Sequence, residues 1–354
     1  MARRAVVVKI GSSTLVDDRG RGRGRVFSNV AADAAGLVEA GTPVVVVSSG
    51  AIALGLGSLG RTARPSRLSQ LQAASAVGQT LLQHSWERAF ARHGLRTAQV
   101  LLTAADVHRR DGYTNARRTL EALLRWGVVP VVNENDSTAT DEIAFGDNDA
   151  LAAQVALLLQ ARLLVLLTDV DGLYDRAPSD PQARPIAEVT DHALLRSLDV
   201  DGGRGSWGSG GMRSKLVAAE MASAGGIAAA IGAGARAGAL ADAAAGRGAG
   251  TRFRPDPSPL PAYKLWLRYG KPVSGRLTVD AGARKAVAEL GTSLLPVGVT
   301  AVEGRFQAGD AVELVEAGAA FAVGICDYDA AALRDAAGAR GLDEAVHRDN
   351  LVLL

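Results

Sequence analysis

The sequence predicts an α/β domain with a largely parallel central sheet, followed by a small β-rich domain. Over the first 250 residues, short continuous Val/Leu/Ile runs alternate with helical stretches; a proline-rich boundary follows, and beyond it lie short β-type runs separated by turn residues. Continuous apolar runs fit strands covered on both faces. Their alternation with helices implies parallel strands with helices on both sides of the sheet. At 354 residues the chain has room for two domains and a sizeable core.

In chain order, strands are expected over Ala5–Ile10, Val44–Ser48, Gln99–Leu102, Val128–Val132 and Leu163–Thr168. Pro130 stands out in the fourth, because proline has no N–H to give to a ladder. Helix formers at helical spacing fill Asn29–Ala40, Leu68–His93, Ala150–Ala161 and Leu216–Ala224. Thr251–Ala262 carries Pro255, Pro257, Pro259 and Pro261. Alternate prolines stiffen a chain and exclude helix, so 251–262 is expected to link a domain over 1–250 to one over 263–354. In the latter, Gly275–Val279, Ala311–Val315 and Phe321–Ile325 have strand composition.

Charge excludes little but guides the search. The formal net charge is +2, and Tyr263–Leu354 holds 10 Lys and Arg against 12 Asp and Glu. Bulk charge therefore argues for neither a nucleic acid nor a membrane as partner. The single cysteine, Cys326, cannot close an internal disulfide, and its β-like run suggests a buried, small apolar side chain. No signal-peptide pattern opens the chain, and Ala5–Ile10 is far too short to span a bilayer, so a cytoplasmic location is expected. The basic run Arg19–Arg25 reads as a solvated loop or as a neighbour of an anionic substrate.

Several familiar site patterns drop out. Gly55–Gly60 matches G-x-G-x-x-G, but the tight turn after the preceding strand is at Ser48–Gly50, and no acidic residue lies about twenty positions on to hold a ribose. There is no Walker-type lysine loop and no G-x-S-x-G elbow, and the five histidines lack zinc spacing.

Polar residues at the carboxyl ends of the apolar strands remain, where open α/β sheets bind ligands. Lys9, followed by Gly11-Ser12-Ser13, is costly to bury without an anion. Ser48-Ser49-Gly50 runs into a helix, where small residues let a ligand approach, although a plain N-cap explains it equally. Asn133-Glu134-Asn135-Asp136 suits an amino group and a carboxylate, or an ordinary turn. Gly146-Asp147-Asn148-Asp149 offers more capping residues than one helix needs. Thr168-Asp169 closes the most apolar strand. In Gly208–Lys215, glycines precede a helix that has a lysine in its first turn, a placement the helix dipole disfavours unless an anion is present.

These segments, VVKIGSSTL, VVVSSGAIA, VVPVVNENDS, FGDNDALAAQVA, LLLTDVDGLY and GSGGMRSK, resemble in order and spacing the amino acid kinase family, and within it the members that act on glutamate. SGRLTVDAGARKAV, GTSLLPVGV and HRDN resemble the PUA domain fused to bacterial members. The resemblance implies an amino acid kinase-like three-layer sandwich with a PUA-like tail. It implies transfer of phosphate from ATP, with Mg2+, to the side-chain carboxylate of L-glutamate. Carried over by motif, Lys9 contacts ATP phosphates; Ser49, Asp136 and Asn148 bind glutamate; Thr168 and Asp169 line the nucleotide pocket. Ser209, Gly210, Gly211, Met212, Arg213, Ser214 and Lys215 wrap the phosphates. Ser209 stands where the family often has threonine, which keeps the hydroxyl. Lys9, Lys215 and Asp149 are the expected catalytic set, the carboxylate orienting the two lysines. Proline is expected as a feedback inhibitor and a homo-oligomer as the assembly; nucleic acid and membrane are not expected as partners. The open alternatives are a family member with another acceptor (aspartate, acetylglutamate or a nucleoside monophosphate) and an RNA-binding protein acting through the tail.

Overall fold

The computed structural model describes residues 4–61, 63–103, 106–107, 110–138, 148–176, 180–190, 211–248 and 250–354. It divides into two compact units, Met1–Pro259 and Leu260–Leu354.

The first unit is built on an eight-stranded sheet. Its segments in chain order are β1 (Val6–Ile10), β2 (Val44–Ser48), β3 (Arg96–Leu102), β4 (Val128–Glu134), β5 (Leu163–Thr168), the short hairpin β6 (Leu173–Tyr174) and β7 (Pro185–Ile186), then β8 (Glu188–Val189), β9 (Ala228–Ala233) and β10 (Thr251–Phe253). The sheet order is β3-β4-β2-β1-β5-β9-β10-β8. Every pair from β3 to β9 is parallel, and β10 joins β9 antiparallel. The central strands β1, β2 and β5 are buried at every position, which is why they read as unbroken apolar runs.

Helices cover both faces. They are α1 (Ser12–Leu15), α2 (Gly24–Glu39), α3 (Ala51–Ser58), α4 (Leu68–Ala91), α5 (Arg110–Arg125), α6 (Asn148–Leu158), α7 (Met212–Ala224) and α8 (Ala239–Ala244). Val6, Val8 and Ile10 of β1 join the core shared with α2, α3, α4 and α8. Successive strand side chains face opposite ways, so Val7 and Lys9 face the layer of α6 and α7. The chain runs outward from β1 to β2, then crosses back to place β5 on the other side of β1. That reversal opens a crevice at the carboxyl ends of β1 and β5.

The differences from the predicted elements have local causes. β3 starts at Arg96 rather than Gln99 and is an edge strand with partly exposed positions, so its apolar signal is diluted. Pro130 is accommodated because the registered pairing of β4 with β2 covers only Val131 and Val132. Strand β9, with sequence AAAIGA, has almost no β-branched residues to announce it. Thr251–Phe253, assigned by sequence to the linker, is a strand of the sheet: Thr251 pairs with Ile231, and its hydroxyl binds the Ile186 carbonyl and the Leu173 amide. The Arg19–Arg25 run forms a turn that leads into α2 at Gly24. Val16 bridges to Gly22, and Arg21 pairs with Asp17 at 2.9 Å on the surface.

Two glycines of the G-x-G-x-x-G match, Gly55 and Gly57, serve packing. A Cβ on Gly55 of α3 would lie 1.9 Å from the Ala74 carbonyl oxygen of α4, and one on Gly78 would lie 1.8 Å from that of Ala51. The two helices therefore cross almost backbone to backbone.

The second unit holds the sheet order β12-β11-β13-β14-β15, with β11 (Val273–Val279), β12 (Val299–Gly304), β13 (Ala311–Glu316), β14 (Ala319–Ile325) and β15 (Leu351–Leu353). Only β11 and β13 pair in parallel. Leu277, Leu314, Leu333 and Val346 are fully buried in its core together with Cys326, as the sequence predicts for the cysteine. Burial pushes the Cys326 thiol pKa up.

Candidate active site

The crevice holds a buried charge cluster. Asp149, fully buried in the first turn of α6, lies 2.5 Å through Oδ1 from Lys9 Nζ and 3.2 Å through Oδ2 from Lys215 Nζ. Lys9 comes from the end of β1 and Lys215 from the first turn of α7, and both are buried. Lys215 also donates to the Gly211 carbonyl at 3.3 Å. The Ser214 hydroxyl lies 2.9 Å from both Asp149 Oδ2 and that carbonyl. One carboxylate between two ammonium groups leaves a net positive charge away from water. Such burial is expensive unless an anion completes it. The N-termini of α6 and α7 add backbone N–H groups and positive dipole ends to the same region.

A neutral network begins one residue earlier. Asn148 Nδ2 donates to Ser49 Oγ at 2.9 Å and to Asn133 Oδ1 at 2.8 Å. Asn133 Nδ2 donates to Gln79 Oε1 at 2.8 Å, and Gln79 Nε2 to Gln99 Oε1 at 3.2 Å. Behind Ser49, the buried Trp86 indole donates to Ser48 Oγ at 2.9 Å. Gly50, with φ of 110°, turns the chain from β2 into α3; a Cβ there would be strained.

Asp136 closes this side. Its Oδ2 accepts from Ser75 Oγ at 2.5 Å. Burial pushes the Asp136 carboxyl above its ordinary value, against the lowering effects of the Ser75 hydrogen bond and the Arg64 charge. Thr168, at the end of β5, donates to Asp169 Oδ1 at 2.9 Å, and its carbonyl accepts the Gly234 amide.

The structure thus brings Lys9, Asp149, Gly211, Ser214 and Lys215 into one cluster, and Ser49 and Asn148 into a second that shares the α6 terminus. Asp136 contacts Ser75 rather than Asn148. Thr168 and Asp169 contact each other at the end of β5, next to β1. Met212 and Arg213 sit in the first turn of α7, with Arg213 exposed. Ser209 and Gly210 lie outside the described residues. Sequence reasoning missed Ser75 and Gln79. They are buried polar residues four apart on α4, and that spacing on a core-facing side is the one signal that could have found them.

Comparison with known proteins bears on the family and the fold. The model of the Amino acid kinase family matches residues 4–252, and that of the PUA domain matches residues 275–348. A glutamate 5-kinase of Synechococcus sp. (strain JA-2-3B'a(2-13)) is 44% identical, with 99% of this chain and 98% of that protein covered. A glutamate 5-kinase of Chromohalobacter salexigens is 46% identical, with 99% and 96% covered. Among solved structures, carbamate kinase from Giardia lamblia bound to AMP-PNP superposes with a TM-score of 0.51 at 19% identity, over 72% of this chain and 99% of that one. At that identity the likeness concerns the fold alone. Matched over most of its length by the family model and by full-length relatives, the chain belongs to the Amino acid kinase family.

Proposed function

We propose that the protein transfers the γ-phosphoryl group of ATP to the side-chain carboxylate of L-glutamate, giving L-glutamyl 5-phosphate and ADP, the first step of proline synthesis. The observation that carries this reading is the pair of buried lysines, far apart in sequence, held by the two oxygens of Asp149.

The acceptor carboxylate is already ionised at neutral pH, so no protein nucleophile or strong base is needed. What remains is positioning, and neutralising charge on the transferring group. Lys9 and Lys215 supply that charge from two sides. Asp149 keeps both ammonium groups in place between turnovers and orients them when phosphates arrive. Ser49, Asn148 and Asp136 hold the amino-acid end. Thr168 and Asp169 line the nucleotide side, and Gly211 to Lys215, with Ser209 and Gly210, close around the phosphates.

Mg2+ is the proposed divalent ion. Among the described residues no group of three or more His, Cys, Asp or Glu side chains could hold it, and both Asp149 oxygens face ammonium groups. It is expected to arrive on ATP phosphate oxygens and water, where it would neutralise phosphate charge. Proline as a feedback inhibitor, a homo-oligomeric assembly and a cytoplasmic location complete the proposal. No helix among the described residues is long and apolar enough to cross a membrane.

Hydroxylamine traps an acyl phosphate as a hydroxamate. Formation of γ-glutamyl hydroxamate that requires both ATP and glutamate supports the reading. Hydroxamate from aspartate or acetylglutamate instead of glutamate overturns it.

A further inference from the structure

We infer that Gln79 is a positioning residue that sets the hydrogen-bond polarity of the amino-acid pocket. The inference rests on the glutamate reading above and adds a residue to it.

The argument follows the amides. Each side-chain amide offers an oxygen that only accepts and a nitrogen that only donates. The Gln79 oxygen takes a hydrogen from Asn133, which turns the Asn133 oxygen toward Asn148. Asn148 then spends both its N–H groups, one on Asn133 and one on Ser49. Two consequences reach the pocket. The Asn148 oxygen is buried and, among the described residues, has no hydrogen-bond partner. The Ser49 hydroxyl, already accepting from Asn148, keeps its own proton to donate. A buried acceptor without a donor is costly, so the site calls for a donor, which an amino-acid substrate supplies as its ammonium N–H groups. The α-ammonium of an amino acid meets the Asn148 oxygen, and an α-carboxylate meets the Ser49 hydroxyl. Were the chain of amides reversed, Asn148 would present N–H groups and repel an ammonium.

Gln79 can hold its end of this order because its place on α4 is fixed. It is buried on α4, beside Gly78, where α4 crosses α3 backbone to backbone, and its own nitrogen is held by Gln99.

The test compares glutamate with glutarate, which lacks the α-ammonium, as acceptors for the full-length protein. Gln79→Met keeps the length and removes the acceptor. It is expected to lower kcat/KM for glutamate about tenfold while leaving that for glutarate within about twofold, so the preference for glutamate shrinks about tenfold. Gln79→Glu, which still accepts from Asn133, is expected to restore most of the preference. Should Gln79→Met fail to fold, Gln79→Ser removes the same acceptor and reads the same ratio. An unchanged ratio in the Met or Ser variant overturns the inference, as does a Glu variant no better than Met. A merely structural loss would lower both acceptors together. Absence of glutamate kinase activity in the unaltered protein would instead remove the proposed function itself.

Discussion

Asn148 and Asp149 are neighbours in the first turn of one helix, yet their surroundings are opposite in kind. Asp149 stands between two buried ammonium groups. Asn148 stands in a row of neutral amides and a hydroxyl. In the proposed reaction the difference follows from what each side must do. Charge moves during phosphoryl transfer, so full charges belong where the phosphates sit, and they are worth most away from water. The amino-acid end carries charge that does not change, and it is recognised by geometry and hydrogen-bond polarity. One helix terminus thus divides the crevice into a charged half and a mostly neutral half.

Substitutions that break one half and spare the other test this division. Asp149→Asn should have the largest effect. It leaves two buried ammonium groups without a counter-charge, which costs stability by about 3–5 kcal/mol, readable as a fall in the unfolding midpoint together with loss of turnover. Lys9→Ala should lower kcat by about 10²–10³-fold with little change in the glutamate KM, measured by coupled ADP release. Asp136→Asn should act on the other half. The glutamate KM is expected to rise by roughly tenfold to a hundredfold, with kcat and the ATP KM nearly unaltered, because a hydrogen bond to a charged group is lost. An unaltered glutamate KM would move the ammonium site elsewhere.

Gly78→Ala sharpens the comparison structurally. The added Cβ forces α4 away from α3 and should cost about 1–3 kcal/mol of stability. Because α4 carries Ser75 and Gln79, the glutamate KM should rise while the ATP KM stays. A matching rise in both would show that the halves are not independent.

The smallest expected effect is one of pH. Burial raises the Asp136 carboxyl above its ordinary value. An ammonium ligand pairs with the ionised form, so glutamate affinity should weaken as pH falls through the raised pKa, and Asp136→Asn should flatten the profile. For the empty protein the sign is opposite. The folded state holds this proton more tightly than the unfolded chain, so Asp136 favours folding at low pH, and that contribution is lost as pH rises through the raised value.

Much of the charged half was legible in the sequence. Lys9 interrupts an apolar strand, and Lys215 occupies a helix start that disfavours it. Both placements are anomalies that an anion resolves, and the structure brings both lysines to Asp149. The sheet was legible where strands are buried on both faces, as in β1, β2 and β5. It was not legible in β9, whose alanines carry no strand signal, or in β10, which sits beside prolines. The neutral half was the least visible. Ser75 and Gln79 look like any polar residues on a long helix. Their meaning comes from partners 61 and 54 residues away, and such pairings follow from the tertiary fold rather than from local pattern.

The most direct test of the central claim is kcat for Lys215→Ala with saturating ATP and glutamate. Two distant lysines sharing Asp149 above one triphosphate predict a loss of about 10²–10³-fold, with the glutamate KM within about twofold of the unaltered protein. Turnover equal to that of the unaltered protein would contradict it.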